Sequence, residues 1–261
     1  MKTSQKAMIY KDVKEVLGST QMLIPMIIVP AMMAFVLPLI LMIGAKFGVS
    51  GLNGMDYMIK IFSSKFPGLS SSQLLVEMGL NYMFPVFFLL IPVMASSIIG
   101  ASSFVGEKER KTMESLLYTP ISIRELFTAK VLGTAVPAYA ITLISFFIFG
   151  LVIDVGGWFY FGRLIFPNVK WLILIIWVVP AITLLAITFM VMVSAKANTF
   201  QEAQQMSAFI VIPIIFLLIG QMTGLFMLSS SVLLAVGAGV YILDYFLMKI
   251  ATKKFVPEKL I

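Results

Sequence analysis

The chain has 261 residues, 60% of them apolar and only 12% charged, against about 45–50% and about 25% in ordinary soluble domains, so a water-soluble fold is excluded. It holds no Cys and no His, which removes disulfides, thiol chemistry, His-ligated metals and Ser-His or Cys-His catalysis. The net charge of +7 sits in basic residues at the ends of apolar segments, a pattern that points to lipid headgroups rather than nucleic acid.

In chain order, the first element is a basic amphipathic stretch within residues 1–21. Ile9, Val13, Val16 and Leu17 recur at helical spacing, Lys11, Asp12, Lys14 and Glu15 take the other side, and Gly18 is a stop signal. This predicts a helix lying on the membrane, either a simple anchor or a contact for a partner. Uncharged intervals follow. A span needs about 20 residues to cross a ~30 Å apolar core, and the intervals after Glu15, Glu77, Lys130 and Lys170 hold 30, 29, 23 and 25 residues. A fifth, after Glu202, holds 41 and is broken by Gly220–Gly224 and Ser229–Ser231, so it reads as a helical hairpin. Six spans result, near 22–45, 81–105, 131–153, 171–194, 206–226 and 230–249. The fold class is an all-α polytopic membrane protein, a single domain over 1–261.

Lys and Arg resist translocation in short loops. With the N-terminus inside, 14 basic residues lie on the cytoplasmic side and 5 outside, so both termini are expected in the cytoplasm of a plasma-membrane protein. The outer segment 46–79 is rich in Gly and Ser. The second outer loop carries Trp158, Phe159, Tyr160 and Phe161 beside Trp171, expected as an interfacial aromatic belt.

Residues 106–130, between spans two and three, form the most informative segment. Glu107 with Lys111, and Arg110 with Glu114, are i,i+4 opposite-charge pairs, while Met113, Leu116 and Leu117 make an apolar stripe. Thr119-Pro120 ends this first helix. Ser122 with Glu125 is a capping box for a second helix that runs into span three. The result is a cytoplasmic elbow, which can seat in a groove of a soluble partner or stand as a salt-bridged loop.

At these residues the sequence resembles the permease subunits of ATP-binding-cassette (ABC) exporters of the type-2 family. The resemblance rests on Glu107, Glu109, Arg110, Lys111, Thr112, Met113, Glu114, Leu116 and Leu117, then Thr119, Pro120, Ile121 and Ser122, then Lys130; Ala129 stands where the family often has Gly. The layout of six spans, and the polar loop Ser194–Gln205 between spans four and five, are similar too. The resemblance implies a permease with no enzyme activity of its own, paired with a second permease subunit in a homodimer or heterodimer. Two copies of a separate ABC ATP-binding subunit would bind ATP and Mg. The elbow would be the coupling helix that docks on them, through Glu107, Glu109, Arg110, Thr112, Met113, Glu114, Leu116, Leu117, Pro120 and Lys130. Its movement would rotate spans two and five about the dimer axis. The residues agree in one respect: the chain has no phosphate loop, since Gly100–Lys108 has the wrong spacing and Glu107 where a Lys is required.

Cargo is less legible. Phe84, Phe87 and Phe88 in span two, in a Met-rich chain, suit an amphipathic or hydrophobic substrate such as a peptide, drug or lipid, or belong to packed or lipid-facing surface. Alternative readings are a non-transporting anchor or sensor subunit that recruits an ATPase, and a sodium-extruding permease. A secondary transporter would need intramembrane ionisable groups, and the spans hold only Asp244, expected to pair with Lys249 or Lys14 near the headgroups.

Overall fold

The structure is a computed structural model that describes residues 3–47, 63, 66–112, 123–222 and 228–254. Among these the fold is all-α: a short helix α1 (Thr3–Gly18) precedes six helices long and apolar enough to cross a membrane. They are α2 (Thr20–Lys46), α3 (Ser71–Glu109), α4 (Glu125–Phe161), α5 (Val169–Ser194), α6 (Phe200–Gln221) and α7 (Ser230–Ala251), corresponding to the six spans expected from the uncharged intervals. Gly18 does end α1.

Helix α3 starts well before the uncharged interval does. Ser70 accepts from the Gln73 backbone N–H and Gln73 returns a bond to the Ser70 N–H, a capping box that starts the helix inside the segment 46–79 expected as an outer loop. At 39 residues and 1.5 Å per residue it is about 58 Å long, so it protrudes beyond the apolar core of a bilayer.

Wide turns mark where the helices are disturbed, and each has a cause. The π-helical stretches Met32–Val36, Gly79–Met83 and Leu174–Val178 each end two residues before a proline, Pro38, Pro85 and Pro180. Proline offers no N–H to the carbonyl four residues back and its ring crowds that carbonyl, so the preceding turn widens. A fourth stretch, Ala101–Gly106, has no proline after it. There the buried Lys130 ammonium donates to the Ser103 carbonyl, and a side chain inserted into the backbone ladder has the same effect.

Helix α3 is central. In its most apolar window 78% of residues are buried, against 22% in α2 and 17% in α7; it touches α2, α4, α5 and α6, while α7 rests on α5 and α1 lies along α4. The end of the bundle away from α1 closes on a cluster of Phe84, Phe88, Phe146, Phe149, Phe166 and Trp171, with ring centroids 4.6–6.4 Å apart. Gly150 makes room for it, since a Cβ there would stand 2.7 Å from the Phe166 ring. Trp171 is fully buried and donates its indole N–H to the Leu80 carbonyl at 3.0 Å.

Above the cluster, Asn168 bonds Asn81 at 2.7 Å, and Asn81 bonds Glu77 at 2.6 Å. The expected aromatic belt therefore divides. Trp158 and Phe159 are exposed, as a belt requires. Tyr160 instead donates its hydroxyl to the Met42 carbonyl, and Trp171 belongs to the core.

Candidate functional site

The residues that carry the elbow pattern begin at the end of α3. Met113, Glu114, Leu116, Leu117 and Pro120, with Thr119 and Ser122, lie outside the described residues. Of the two local ion pairs expected, Arg110–Glu114 falls on a residue outside the described ones, and Glu107–Lys111 does not form. Lys111 takes a left-handed backbone conformation, φ 56°, right after the last helical turn, so the i,i+4 geometry that would join Glu107 to Lys111 does not exist. Glu107 turns inward instead.

Its carboxylate, 3% exposed, pairs with the Lys130 ammonium, which is 0% exposed, and with Lys11 of α1 at 2.7 Å. Lys130 also donates to the Ser103 carbonyl and lies 5.6 Å from the Phe104 ring centroid. One helical turn along α1, Glu15 accepts from Arg110 at 2.6 Å and from the Ser102 hydroxyl at 3.0 Å. Thr112 folds back, donating its backbone N–H to the Glu107 carbonyl at 2.9 Å.

This connected network joins three elements: α1, the end of α3 and the start of α4. Burying Glu107 and Lys130 in an apolar bundle is tolerated only because each charge has a partner and further hydrogen bonds. Opposite charges drawn from distant parts of the chain thereby fix the relative position of α1, α3 and α4. The apolar side of α1 adds to this: Val16 is buried and packs with Met22, Met26, Ile98 and Ile99.

A fourth element joins through Glu109. Its carboxylate accepts the Phe200 backbone N–H at 2.8 Å, in the first turn of α6, where a carboxylate is also favoured by the helix dipole. That turn is prepared locally, since Thr199 accepts from the Glu202 N–H and Glu202 accepts from the Asn198 N–H. A cavity of about 410 Å³ opens beside the network, lined by Gln21, Arg110 and Phe200 among others. The polar loop between spans four and five is thus part of the same site, a link that sequence spacing alone could not supply.

The aromatic residues considered for a cargo path are placed differently. Phe84 and Phe88 are buried in the aromatic cluster, and Phe87 is half-buried against it. Asp244 has neither expected partner: its carboxylate oxygens are buried and make no hydrogen bond, and it forms no ion pair with Lys249 or Lys14. Among the described residues no group of acidic side chains could hold a metal ion.

A family model described as ABC-2 family transporter protein matches residues 7–259, nearly the whole chain. No curated protein and no solved structure matches it.

Proposed function

The chain belongs to the ABC-2 family of transporters, and from that premise we propose that it is the permease subunit of an ATP-driven exporter whose cargo is amphipathic or hydrophobic. Membership makes it a multi-pass membrane component of an ABC transporter that works with an ATP-binding subunit. The proposal adds the export direction, the cargo class, a plasma-membrane location with both termini in the cytoplasm, and an assembly of two permeases with two ATPases. ATP and Mg belong to those ATPases. The single domain spans 1–261.

The observation that carries the coupling assignment is the network around Glu107. An elbow pushed by an ATPase moves spans only if it is held to them. Here the residues leading into the elbow are bonded to α1, α4 and α6 at once. Closure of the ATPases beneath would shift these elements together, and a permease can be driven this way only if its two conformations bind the partner differently. Glu107, Arg110 and Lys130 serve as the internal frame. Met113, Glu114, Leu116, Leu117 and Pro120 supply the docking surface, with Thr112 at its edge. Phe87, the less buried of its trio, is the one best suited to meet cargo moving along α3.

The test is co-expression with an ABC ATP-binding subunit. The purified permease alone should hydrolyse no ATP, and the complex should carry two copies of each chain. Leu116→Asp should leave the permease inserted while releasing the ATPase and stopping export; wild-type copurification and export in that variant would remove the coupling role. Topology is checked separately, and the cysteine-free sequence makes labelling clean. Cysteines at Ser71 and Arg163 should react with an impermeant maleimide from outside, and those at Thr112 and Thr199 only after the membrane is opened. The reverse pattern would invert the orientation.

A further inference from the structure

Helix α2 meets α4 unevenly. From Met32 on it packs along α4, whereas its first half touches α4 little. The changeover falls at the wide turn Met32–Val36, with Pro25 and Pro30 just before it; prolines and π turns are where helices bend. The gap this leaves is a groove of about 610 Å³, walled by Leu17, Leu23, Phe35, Ile144 and Ile148 among others. Among the described residues its one polar side chain is Ser145, which donates to the Ile141 carbonyl at 2.8 Å and so asks nothing of an occupant.

The groove has the length of one leaflet. Along α2 it runs from Leu23 to Phe35, about 18 Å of helix, against about 15 Å for half of a bilayer's apolar core. It opens at the end of the span next to α1. There Leu17 forms its mouth, and Leu17 closes a set of three exposed residues, Tyr10, Lys14 and Leu17, whose i, i+4, i+7 spacing puts them on one stripe of α1. Lys14 therefore stands only about 4.5 Å along the helix axis from the mouth. The charges on the neighbouring stripe are engaged elsewhere, since Lys11 reaches Glu107 and Glu15 holds Arg110 and Ser102.

We propose that this groove binds one acyl chain of an anionic phospholipid whose phosphate rests on Lys14. Length decides against a span of a second copy, because a partner helix needs an apolar face along the whole ~30 Å core, and this groove stops half-way, at Phe35. The wall decides for hydrocarbon, since a polar group lodged among these side chains would find no hydrogen-bond partner. An exposed lysine at the mouth, on a chain of net charge +7, selects a negative headgroup. The site requires only that α2 spans a bilayer, so its failure leaves the transport reading standing, and a failure of ATP-driven export leaves the site standing.

The full-length chain, purified in detergent and stripped of lipid, is titrated with dioleoyl phosphatidylglycerol or dioleoyl phosphatidylcholine, and bound lipid is counted by native mass spectrometry. The wild type should hold one phosphatidylglycerol per chain about fivefold more tightly than phosphatidylcholine, the preference expected of one lysine beside a negative headgroup. Lys14→Gln should abolish that preference and leave phosphatidylcholine binding unchanged. Ile144→Trp, which fills the groove, should weaken both lipids at least about tenfold. Dihexanoyl phosphatidylglycerol, whose chains are too short to fill the groove, should be held at least about tenfold more weakly than the dioleoyl lipid, and this decides the chain's role if the tryptophan variant does not fold. Equal binding of the two headgroups, a preference that survives Lys14→Gln, or short chains held as tightly as long ones would overturn the proposal. So would a dimer that Ile144→Trp splits while lipid binding stays at wild-type strength, because a second copy would then be the occupant.

Discussion

Replacing Glu107 with alanine should lower the unfolding free energy of the permease by about 3–5 kcal/mol, the cost typical of removing one partner from a buried ion pair. The loss is large because of what is left behind. Lys130 has no exposed surface, and without Glu107 its ammonium would keep, among the described residues, only the Ser103 oxygens and the face of Phe104. The double variant Glu107→Leu with Lys130→Met should recover most of the stability, since a buried ion pair is often replaceable by apolar groups of similar volume. Lys11→Met, at the half-exposed end of the network, should cost only about 0–1 kcal/mol. Thermal unfolding in detergent, followed by tryptophan fluorescence across the double-mutant cycle, measures the coupling directly. If Glu107→Ala unfolds within a degree of wild type, the network does not hold the three elements together. The stable double variant then serves a second purpose: folded but without the Lys11–Glu107–Lys130 link that ties α4 to α1 and α3, it should export poorly.

The sequence exposes this site only in part, for a physical reason. Hydrophobic lengths are local quantities, so six spans and the stop at Gly18 could be read from runs and spacings. Ion pairs are not local. On sequence spacing Glu107 belongs to Lys111, because four residues is about one turn of a continuing helix. The helix does not continue, as Lys111 adopts a positive φ, and the partners come from 23 and 96 residues away for Glu107 and 95 for Arg110. A conditional signal did exist. An uncompensated Lys at the apolar start of a span, as Lys130 is, requires an acid from elsewhere, and Glu107 is the acid at the facing end of the preceding span.

The opposite error occurs at Asp244. Lys249 or Lys14 was the expected partner, yet no hydrogen bond from the described residues reaches the Asp244 carboxylate oxygens. The early start of α3 was hidden for a third reason, since the Ser70–Gln73 capping box precedes Glu77, and a charge near a span end was read as its boundary.

The aromatic cluster offers the other large effect, and it separates a packed core from a cargo surface. Trp171→Ala would empty a site that has no solvent exposure, touches Phe88, Phe146, Phe149 and Phe166, and satisfies the Leu80 carbonyl. In a water-soluble core such a truncation costs about 3–5 kcal/mol, part of it the transfer of apolar surface to water. In a bilayer that part nearly vanishes, because the unfolded helices remain in lipid, and what remains is lost packing around a cavity and one lost hydrogen bond. The expected cost is therefore about 2–4 kcal/mol for Trp171→Ala and about 2–3 kcal/mol for Phe88→Ala, which breaks no hydrogen bond. Phe87→Ala, at a half-buried position, should cost under about 1 kcal/mol. Transport separates the two roles further. Export per folded molecule should survive Phe88→Ala below its lowered melting temperature, because a core residue acts through stability, whereas Phe87→Ala should change export of bulky cargo while the fold stays intact. If Phe88→Ala instead leaves the melting temperature unchanged and abolishes export, the cluster is a wall of the cargo path, and the outer half of α3 must open during transport.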